Sequence, residues 1–314
     1  MENLNQTSPN VFILLGLSHV PDLKVIYFLI YLVMYIITLS GNSLLITVVS
    51  TNPTLHTPMY FFLSNLSVID VSFSSTIVPV ILINTLSKDR SISLLGCAFQ
   101  MFFSLLLGGT ECIILSIMAY DRFAAICKPL HYNIIMNRKV CVCLVLVSWN
   151  GSLVNALTQV TLTFQLTFCR SHHVNHYFCE IPAFIKLSCK DPWLNELSIY
   201  VAAGIIVIFA FFLILISYIH IISTVLKIRS SEGRQKAFST CASHLTVVIL
   251  FYGTIMFVYL QLRTSFFPKT DKIISLFYTV VTPMLNPIIY SIRNKDVKNS
   301  VVKLVKRKIN LLKT

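Results

Sequence analysis

Apolar residues run through this 314-residue chain in seven long stretches, and shorter polar segments between them carry nearly all of the charge. A helix needs about 20 mostly apolar residues to cross the roughly 30 Å of a bilayer's hydrocarbon core. Every stretch reaches that length, and a helix also satisfies its own backbone hydrogen bonds in lipid. The pattern predicts spans at Val25–Val49, Met59–Leu86, Cys97–Tyr120, Val140–Leu162, Leu197–Leu226, Ala237–Leu262 and Ile273–Ile292.

The composition supports a membrane protein. The chain is 55% hydrophobic and only 12% charged, with a mean hydropathy of +0.77. Soluble domains usually contain about 25% charged residues, and one of this length could not hide so much apolar surface. We therefore expect an all-α membrane protein with three parts: an outer segment over residues 1–24, a seven-helix bundle over residues 25–292 and a tail over residues 293–314.

The positive charges behind the net charge of +13 are distributed unevenly among the loops, and this distribution indicates the topology. The loops at 122–139 and 221–236, with the tail, hold 16 Lys and Arg against three acids when Asp121, at the edge of the first loop, is counted. The opposite loops and the first 24 residues hold nine against seven. Lys and Arg concentrate on the cytoplasmic side of membrane proteins. We expect an extracellular amino terminus, a cytoplasmic carboxyl terminus and no nucleic-acid partner. The sequon at Asn5 then lies outside, where it can be glycosylated.

Four of the nine cysteines lie on the predicted outer side, where disulfides form: Cys97, Cys169, Cys179 and Cys189. Four cysteines allow three pairings, and their spacing does not choose among them. The loop over residues 163–196 also contains His172, His173 and His176. A zinc or copper site is one interpretation. Because disulfides would consume the thiolates, a disulfide-tied loop without metal is favoured, and we expect no cofactor.

Two carboxylates lie deep in predicted spans, Asp70 and Glu111. Buried ionisable groups in membranes usually face a polar interior. Asn42 and Asn286 are expected to join Asp70 there. One hypothesis is a hydrated cation or proton site that changes between two helix arrangements, and the alternative is a static hydrogen-bonded network that holds the helices together.

At the predicted cytoplasmic end of the third span, Asp121 and Arg122 form a charged pair in an otherwise apolar helix. Such a pair is what a signalling receptor needs to bind and release a cytoplasmic protein. The sequence contains no phosphate-binding loop, metalloprotease helix or nucleophile–base set that the topology would bring together. We therefore expect a receptor rather than an enzyme.

The outer halves of the third, fifth and sixth spans are nearly all apolar or aromatic, with isolated hydroxyl groups. A cavity of this kind suits a small apolar guest, although ordinary helix packing is the alternative, and Gly108 and Gly109 would also permit close helix contact. The absence of charge argues against ammonium or carboxylate ligands, and we expect Ser104 or Tyr259 to bond one ligand oxygen or sulfur. The candidate lining residues are Met101, Ser104, Leu105, Gly108, Gly109, Ala202, Ala203, Ile206, Tyr252, Ile255, Met256 and Tyr259.

Five motifs are spread along the chain: GN at 41–42, LHTPMYFFLSNLS at 55–67, MAYDR at 118–122, KAFSTCASHL at 236–245 and PMLNPIIY at 283–290. With these motifs the chain resembles the vertebrate olfactory receptors of class II type, within the rhodopsin-like G-protein-coupled receptors. The resemblance extends from about Asn5 to about Lys298. One departure is Phe123-Ala124, where the family usually has Tyr-Val.

The resemblance implies a plasma-membrane receptor that binds a small volatile odorant, activates a stimulatory G protein of the olfactory type and raises cyclic AMP. It implies disulfides Cys97–Cys179 and Cys169–Cys189. It also implies that Arg122 meets the G protein, that Tyr218 and Tyr290 line the opened inner cavity and that Tyr252 is a switch below the ligand. The tail would form a short amphipathic helix whose basic residues hold anionic lipid.

The sequence fits two other classes of membrane protein less well. Transporters tend to contain internal repeats and paired broken helices at the middle of the membrane, and seven spans cannot divide into equal halves. A channel needs polar residues repeated along a helix that lines a pore, which no span offers.

Overall fold

The computed structural model describes residues 11–16, 23–87, 89–169, 172–228, 230–260, 268–293 and 297–302. Within these residues seven long helices form a bundle. They are α1 (Lys24–Thr51), α2 (Pro58–Leu86), α3 (Leu94–Cys127), α4 (Arg138–Phe164), α5 (Trp193–Leu226), α6 (Ser231–Leu260) and α7 (residues 268–293). Six of them are long and apolar enough to cross a membrane, and α6 contains a shorter apolar segment, Cys241–Phe257. The expected all-α seven-helix bundle is confirmed.

Local sequence explains where several helices begin. The Ser93 hydroxyl accepts a hydrogen bond from the Gly96 N–H at the start of α3, and the Asn137 side chain accepts one from the Val140 N–H at the start of α4. Such caps satisfy N–H groups that have no partner within the helix. Pro58 opens α2, where its missing N–H costs nothing.

The helices extend past the predicted spans at their polar ends. α3 continues to Cys127 instead of ending at Tyr120, and α6 begins at Ser231 instead of Ala237. Hydropathy marks only the length that meets hydrocarbon, whereas the backbone hydrogen bonds of a helix continue beyond it. The charged pair at the end of the third span is therefore inside α3. Shorter helical turns lie in the connections, at Pro53–Leu55, Pro129–His131, Tyr132–Ile135 and Ile181–Ile185.

α1 is joined to α7 at a proline. Pro287 lacks an N–H, so the carbonyl of Pro283 loses its helical donor. The Asn42 amide supplies that hydrogen bond at 3.0 Å. A Cβ on Gly41 would lie 3.0 Å from Pro287 Cγ, so only glycine permits this approach without a shift. The pair Gly41-Asn42 thus fastens α1 to the irregular part of α7.

α3 is the central helix, because it packs against α2, α4, α5 and α6. The outward faces of the bundle are apolar. Leu29, Phe209 and Ile249 are 52%, 61% and 62% exposed, and exposed apolar surface on this scale marks a face that contacts lipid or another partner.

A small sheet, which the sequence analysis did not predict, covers one end of the bundle. β1 (Val11–Leu14) pairs antiparallel with β2 (Ser91–Ser93) and parallel with β3 (His173–Val174). Disulfides Cys97–Cys179 and Cys169–Cys189 tie the same region together. We call this the disulfide end of the bundle, and the opposite end, which carries Asp121 and Arg122, the Arg122 end.

Candidate functional site

A cavity lies in the bundle near the disulfide end, between α3, α4, α5, α6 and α7. Residues Phe178–Ile181 of the connection between α4 and α5 form its roof. Its volume is about 110 Å³. At about 10–15 Å³ for a particle the size of a water molecule, the cavity has room for a guest of about ten non-hydrogen atoms.

The wall of the cavity includes nine of the twelve residues expected from the sequence: Met101, Ser104, Leu105, Gly108, Gly109, Ala202, Ala203, Ile206 and Ile255. Tyr252 lies beside the wall, and its hydroxyl donates to the carbonyl of Cys112 at 2.6 Å. Met256 is outside the wall, and the side chain of Tyr259 lies outside the described residues. Ser104 donates its hydroxyl proton to the Gln100 carbonyl at 2.7 Å, which leaves it free only to accept.

The two adjacent glycines have different surroundings. A Cβ on Gly109 would lie 3.0 Å from Ser152 Oγ, so this glycine permits α3 to approach α4 closely. A Cβ on Gly108 would meet nothing nearer than Phe73 Cε2, at 3.8 Å. Close helix contact, one of the two readings of the pair, therefore describes Gly109, whereas Gly108 leaves space at the cavity wall.

Sequence reasoning missed the contribution of α4, because it considered only the third, fifth and sixth spans. Asn155 and Gln159 of α4 line the cavity. With Ser152 they occupy positions i, i+3 and i+7, which share one face of a helix. That spacing of polar residues inside an apolar span was the signal available in the sequence.

Sequence reasoning also missed Glu180, whose side chain lines the cavity and is 8% exposed. The twelve candidate positions contain no ionisable group except tyrosine, yet the Cys97–Cys179 disulfide holds the next residue, Glu180, over the bundle. Glu180 Oε1 accepts from the Tyr278 hydroxyl at 2.8 Å, and Oε2 lies 3.4 Å from His176 Nε2. The roof is thereby joined to α7.

His176 is uncharged in this setting. Burial, together with the nearby charges of Lys272 and Lys186, lowers the pKa of His176 to about 3. At neutral pH the imidazole is therefore a neutral hydrogen-bonding group, with Nε2 3.3 Å from Ser275 Oγ. Tyr177, next to it, donates to Ser275 Oγ at 2.9 Å. These two residues, which directly precede the roof, thus add further hydrogen bonds between this connection and α7.

The loop histidines and cysteines do not form a metal site in the part of the chain that the structure describes. Cys169, Cys179 and Cys189 are all in disulfides. No group of three His, Cys, Asp or Glu side chains with ligand geometry occurs among the described residues.

At the Arg122 end, the Asp121 carboxylate pairs with the Arg122 guanidinium. The other carboxylate oxygen of Asp121 accepts a hydrogen bond from the Tyr132 hydroxyl at 2.7 Å. A second group joins three helices: His244 Nδ1 on α6 lies 2.8 Å from the Tyr218 hydroxyl on α5, and His244 Nε2 lies 3.1 Å from the Leu115 carbonyl on α3. His244 is therefore a helix-contact residue. Tyr290 is buried nearby on α7, at 1% exposure.

In the middle of the bundle, the Asn286 amide donates to both Asp70 oxygens, at 3.1 and 3.0 Å. Asn42 donates to the backbone of α7 rather than to Asp70. Glu111 is fully buried, and neither of its carboxylate oxygens has a hydrogen-bond partner among the described residues. The expected contact between Asn286 and Asp70 is present, while Asn42 serves the proline break in α7.

The family model for olfactory receptors matches residues 31–308. The chain is 49% identical to Olfactory receptor 10A3 of Homo sapiens, over 99% of each chain. It is 48% identical to Olfactory receptor-like protein OLF1 of Canis lupus familiaris, over 98% of each chain. It is also 47% identical to Olfactory receptor 5AP2 of Mus musculus, over 97% of this chain and 96% of the relative. With its apolar helices, the chain is a multi-pass plasma-membrane protein and not an enzyme. It belongs to the olfactory receptor family of rhodopsin-like G-protein-coupled receptors.

Proposed function

We propose that this receptor binds a small, neutral, mostly apolar volatile in the cavity at the disulfide end and activates a stimulatory G protein of the olfactory type at the Arg122 end, which raises cyclic AMP. The observation that carries the proposal is the cavity itself. It is lined mainly by apolar side chains, it has room for about ten non-hydrogen atoms, and it lies in a chain of the olfactory receptor family.

The distribution of charge supports this orientation of the bundle. The loops of the Arg122 end and the tail hold 16 of the 25 Lys and Arg residues, as expected for the cytoplasmic side. Both disulfides lie at the other end, as expected for an oxidising space. Residues 1–24 are then extracellular, with Asn5 glycosylated, and residues 293–314 are cytoplasmic, where the basic tail contacts anionic lipid.

Transmission from the cavity to the G protein would use α6. Tyr252, whose hydroxyl holds the Cys112 carbonyl of α3, lies next to lining residue Phe251. A ligand that moves this part of α6 also strains the bridge from His244 to Tyr218. Arg122 then leaves Asp121 to meet the G protein, and Tyr218 and Tyr290 line the opened space. In the same transition, Asp70 and Glu111 would hold and release a cation or proton.

We expect the charge of the ligand to decide its potency. An unpaired ammonium or carboxylate in this apolar wall would cost several kcal/mol even after relaxation. Glu180 would also repel a carboxylate, and its two oxygens already contact Tyr278 and His176 instead of being open to a ligand ammonium. A cyclic AMP dose–response series of alcohol, acid and amine on one carbon skeleton should therefore rank the alcohol first. If the ionised acid or amine were the most potent, the assignment of this wall would have to be abandoned.

Gly108→Val should weaken bulky agonists more than compact ones. The added side chain enters the cavity, because the nearest atom to a Cβ built on Gly108 is Phe73 Cε2, at 3.8 Å. Gly151→Val is the matched control, since Gly151 is an exposed α4 residue whose Cβ would meet nothing within 4 Å. We expect a shift of about tenfold in the half-maximal concentration of a bulky agonist, comparable with about 1.4 kcal/mol. An equal shift for compact and bulky agonists would show that Gly108 does not line the ligand cavity.

A further inference from the structure

One face of α4 supplies the polar side of the cavity. Ser152 is fully buried against Gly109 of α3. Gln159, two turns further along α4, donates to the carbonyl and the hydroxyl of Ser198 on α5, at 3.1 and 2.9 Å. Asn155 lies between them and lines the cavity. The first and last members of this face thus belong to helix contacts, and the middle one is open to the ligand space.

The polar side chains of the wall differ in their hydrogen bonding. Ser104 donates to a backbone carbonyl, Gln159 donates to Ser198, and Glu180 accepts from Tyr278. Asn155 alone, among the oxygen- and nitrogen-bearing side chains of the described wall, has no hydrogen-bond partner. Its amide carries two donors and an acceptor. An amide left unpaired in an apolar setting is unfavourable, so a ligand that bonds it gains affinity.

We propose that Asn155 is the hydrogen-bonding anchor of the cavity and makes the receptor select neutral ligands that carry an acceptor oxygen over hydrocarbons of the same shape. This inference rests on the proposed function, because it concerns the same cavity. The ligand oxygen accepts from the Asn155 amide at the α4 side. Its apolar remainder lies toward Phe251 and Ile255 of α6, which form the wall contributed by that helix.

The size of the expected selectivity follows from the strength of one hydrogen bond between neutral groups. A neutral hydrogen bond contributes about threefold to tenfold in affinity, because water competes for both partners in the free state. A ketone and the alkene in which a methylidene group replaces its carbonyl oxygen have the same shape and number of non-hydrogen atoms. They differ in the ability to accept a hydrogen bond.

The test uses the purified full-length receptor and a panel of such pairs, of which 2-octanone and 2-methyl-1-octene is the first. Binding is measured as the ligand-dependent rise in the midpoint of thermal unfolding. We expect the wild-type receptor to prefer the ketones by about threefold to tenfold. Asn155→Leu should weaken the ketones to the level of the alkenes and leave the alkenes unchanged. Asn155→Ala should do the same, and it replaces the leucine variant if that variant does not fold.

Asn150→Leu is the matched control, because Asn150 is an exposed residue of the same helix whose amide donates to the Leu146 carbonyl. This variant should keep the preference for ketones. The inference is overturned if no pair shows a preference, if the preference survives in Asn155→Leu, or if that variant weakens ketones and alkenes equally. A receptor that prefers the ketones yet gives no cyclic AMP response would contradict the proposed function. The inference that Asn155 bonds the ligand oxygen would still hold.

Discussion

Arg122→Ala should abolish the cyclic AMP response to any agonist while leaving the amount of receptor at the cell surface nearly unchanged. The Arg122 guanidinium pairs with Asp121, whose second oxygen is held by Tyr132. In the proposed mechanism Arg122 leaves this pair when α6 moves and contacts the G protein. Without the guanidinium the receptor retains its ligand cavity, which lies at the opposite end of the bundle, and loses its contact with the G protein.

The measurement compares cyclic AMP with surface labelling in the same cells. Arg138→Ala serves as the control, because Arg138 lies at the same end of the bundle and is exposed. We expect it to retain most of the response. Full signalling by a well-expressed Arg122→Ala receptor would show that Arg122 is not the residue that engages the G protein.

Cys179→Ser, like Cys97→Ser, should prevent delivery of the receptor to the cell surface. The Cys97–Cys179 bond joins α3 to the roof of the cavity, and the Cys179 N–H also donates to Gln100 of α3 at 2.8 Å. Removing a native disulfide commonly costs about 2–5 kcal/mol. That loss is a large fraction of the whole stability of many domains, roughly 5–15 kcal/mol.

Surface labelling of intact cells measures this effect, and Cys143→Ser is the control, because Cys143 is an exposed free thiol on α4. The control should reach the surface normally. Normal delivery of Cys179→Ser would contradict the structural role of the bond. Mapping of unreduced peptides tests the pairing itself, and a peptide that joins Cys97 to Cys169 or Cys189 would show that the connectivity is wrong.

The bundle could be predicted from the sequence because lipid imposes a simple requirement on each span. Runs of about 20 apolar residues identify helices that cross the membrane. The same requirement says little about where a helix ends in water, so α6 begins at Ser231, before the predicted Ala237. It also says nothing about short strands such as β1, which depend on pairing between distant parts of the chain.

The cavity was only partly predictable for a related reason. The residues of α3 and α5 could be chosen from their depth and apolar character, and these make up most of the expected wall. Glu180 reaches the cavity only because a disulfide fixes the roof, and the sequence alone left three pairings open. Asn155 was detectable from its helical spacing with Ser152 and Gln159, but α4 was not considered. The sequence analysis expected Asn42 to join Asp70, but the Asn42 amide donates to the Pro283 carbonyl. That carbonyl is free because Pro287, four residues later, has no N–H to donate to it.

The central claim is that a neutral volatile in the cavity activates a stimulatory G protein of the olfactory type. It is tested most directly by a cyclic AMP dose–response measurement with a panel of neutral volatiles of about ten non-hydrogen atoms. The measurement is made in receptor-bearing cells with and without the α-subunit of that G protein. The account predicts a saturable rise in cyclic AMP for members of the panel, present only with the α-subunit and lost in Arg122→Ala. No rise with any neutral volatile, from a receptor shown to be at the surface beside its G protein, would contradict it.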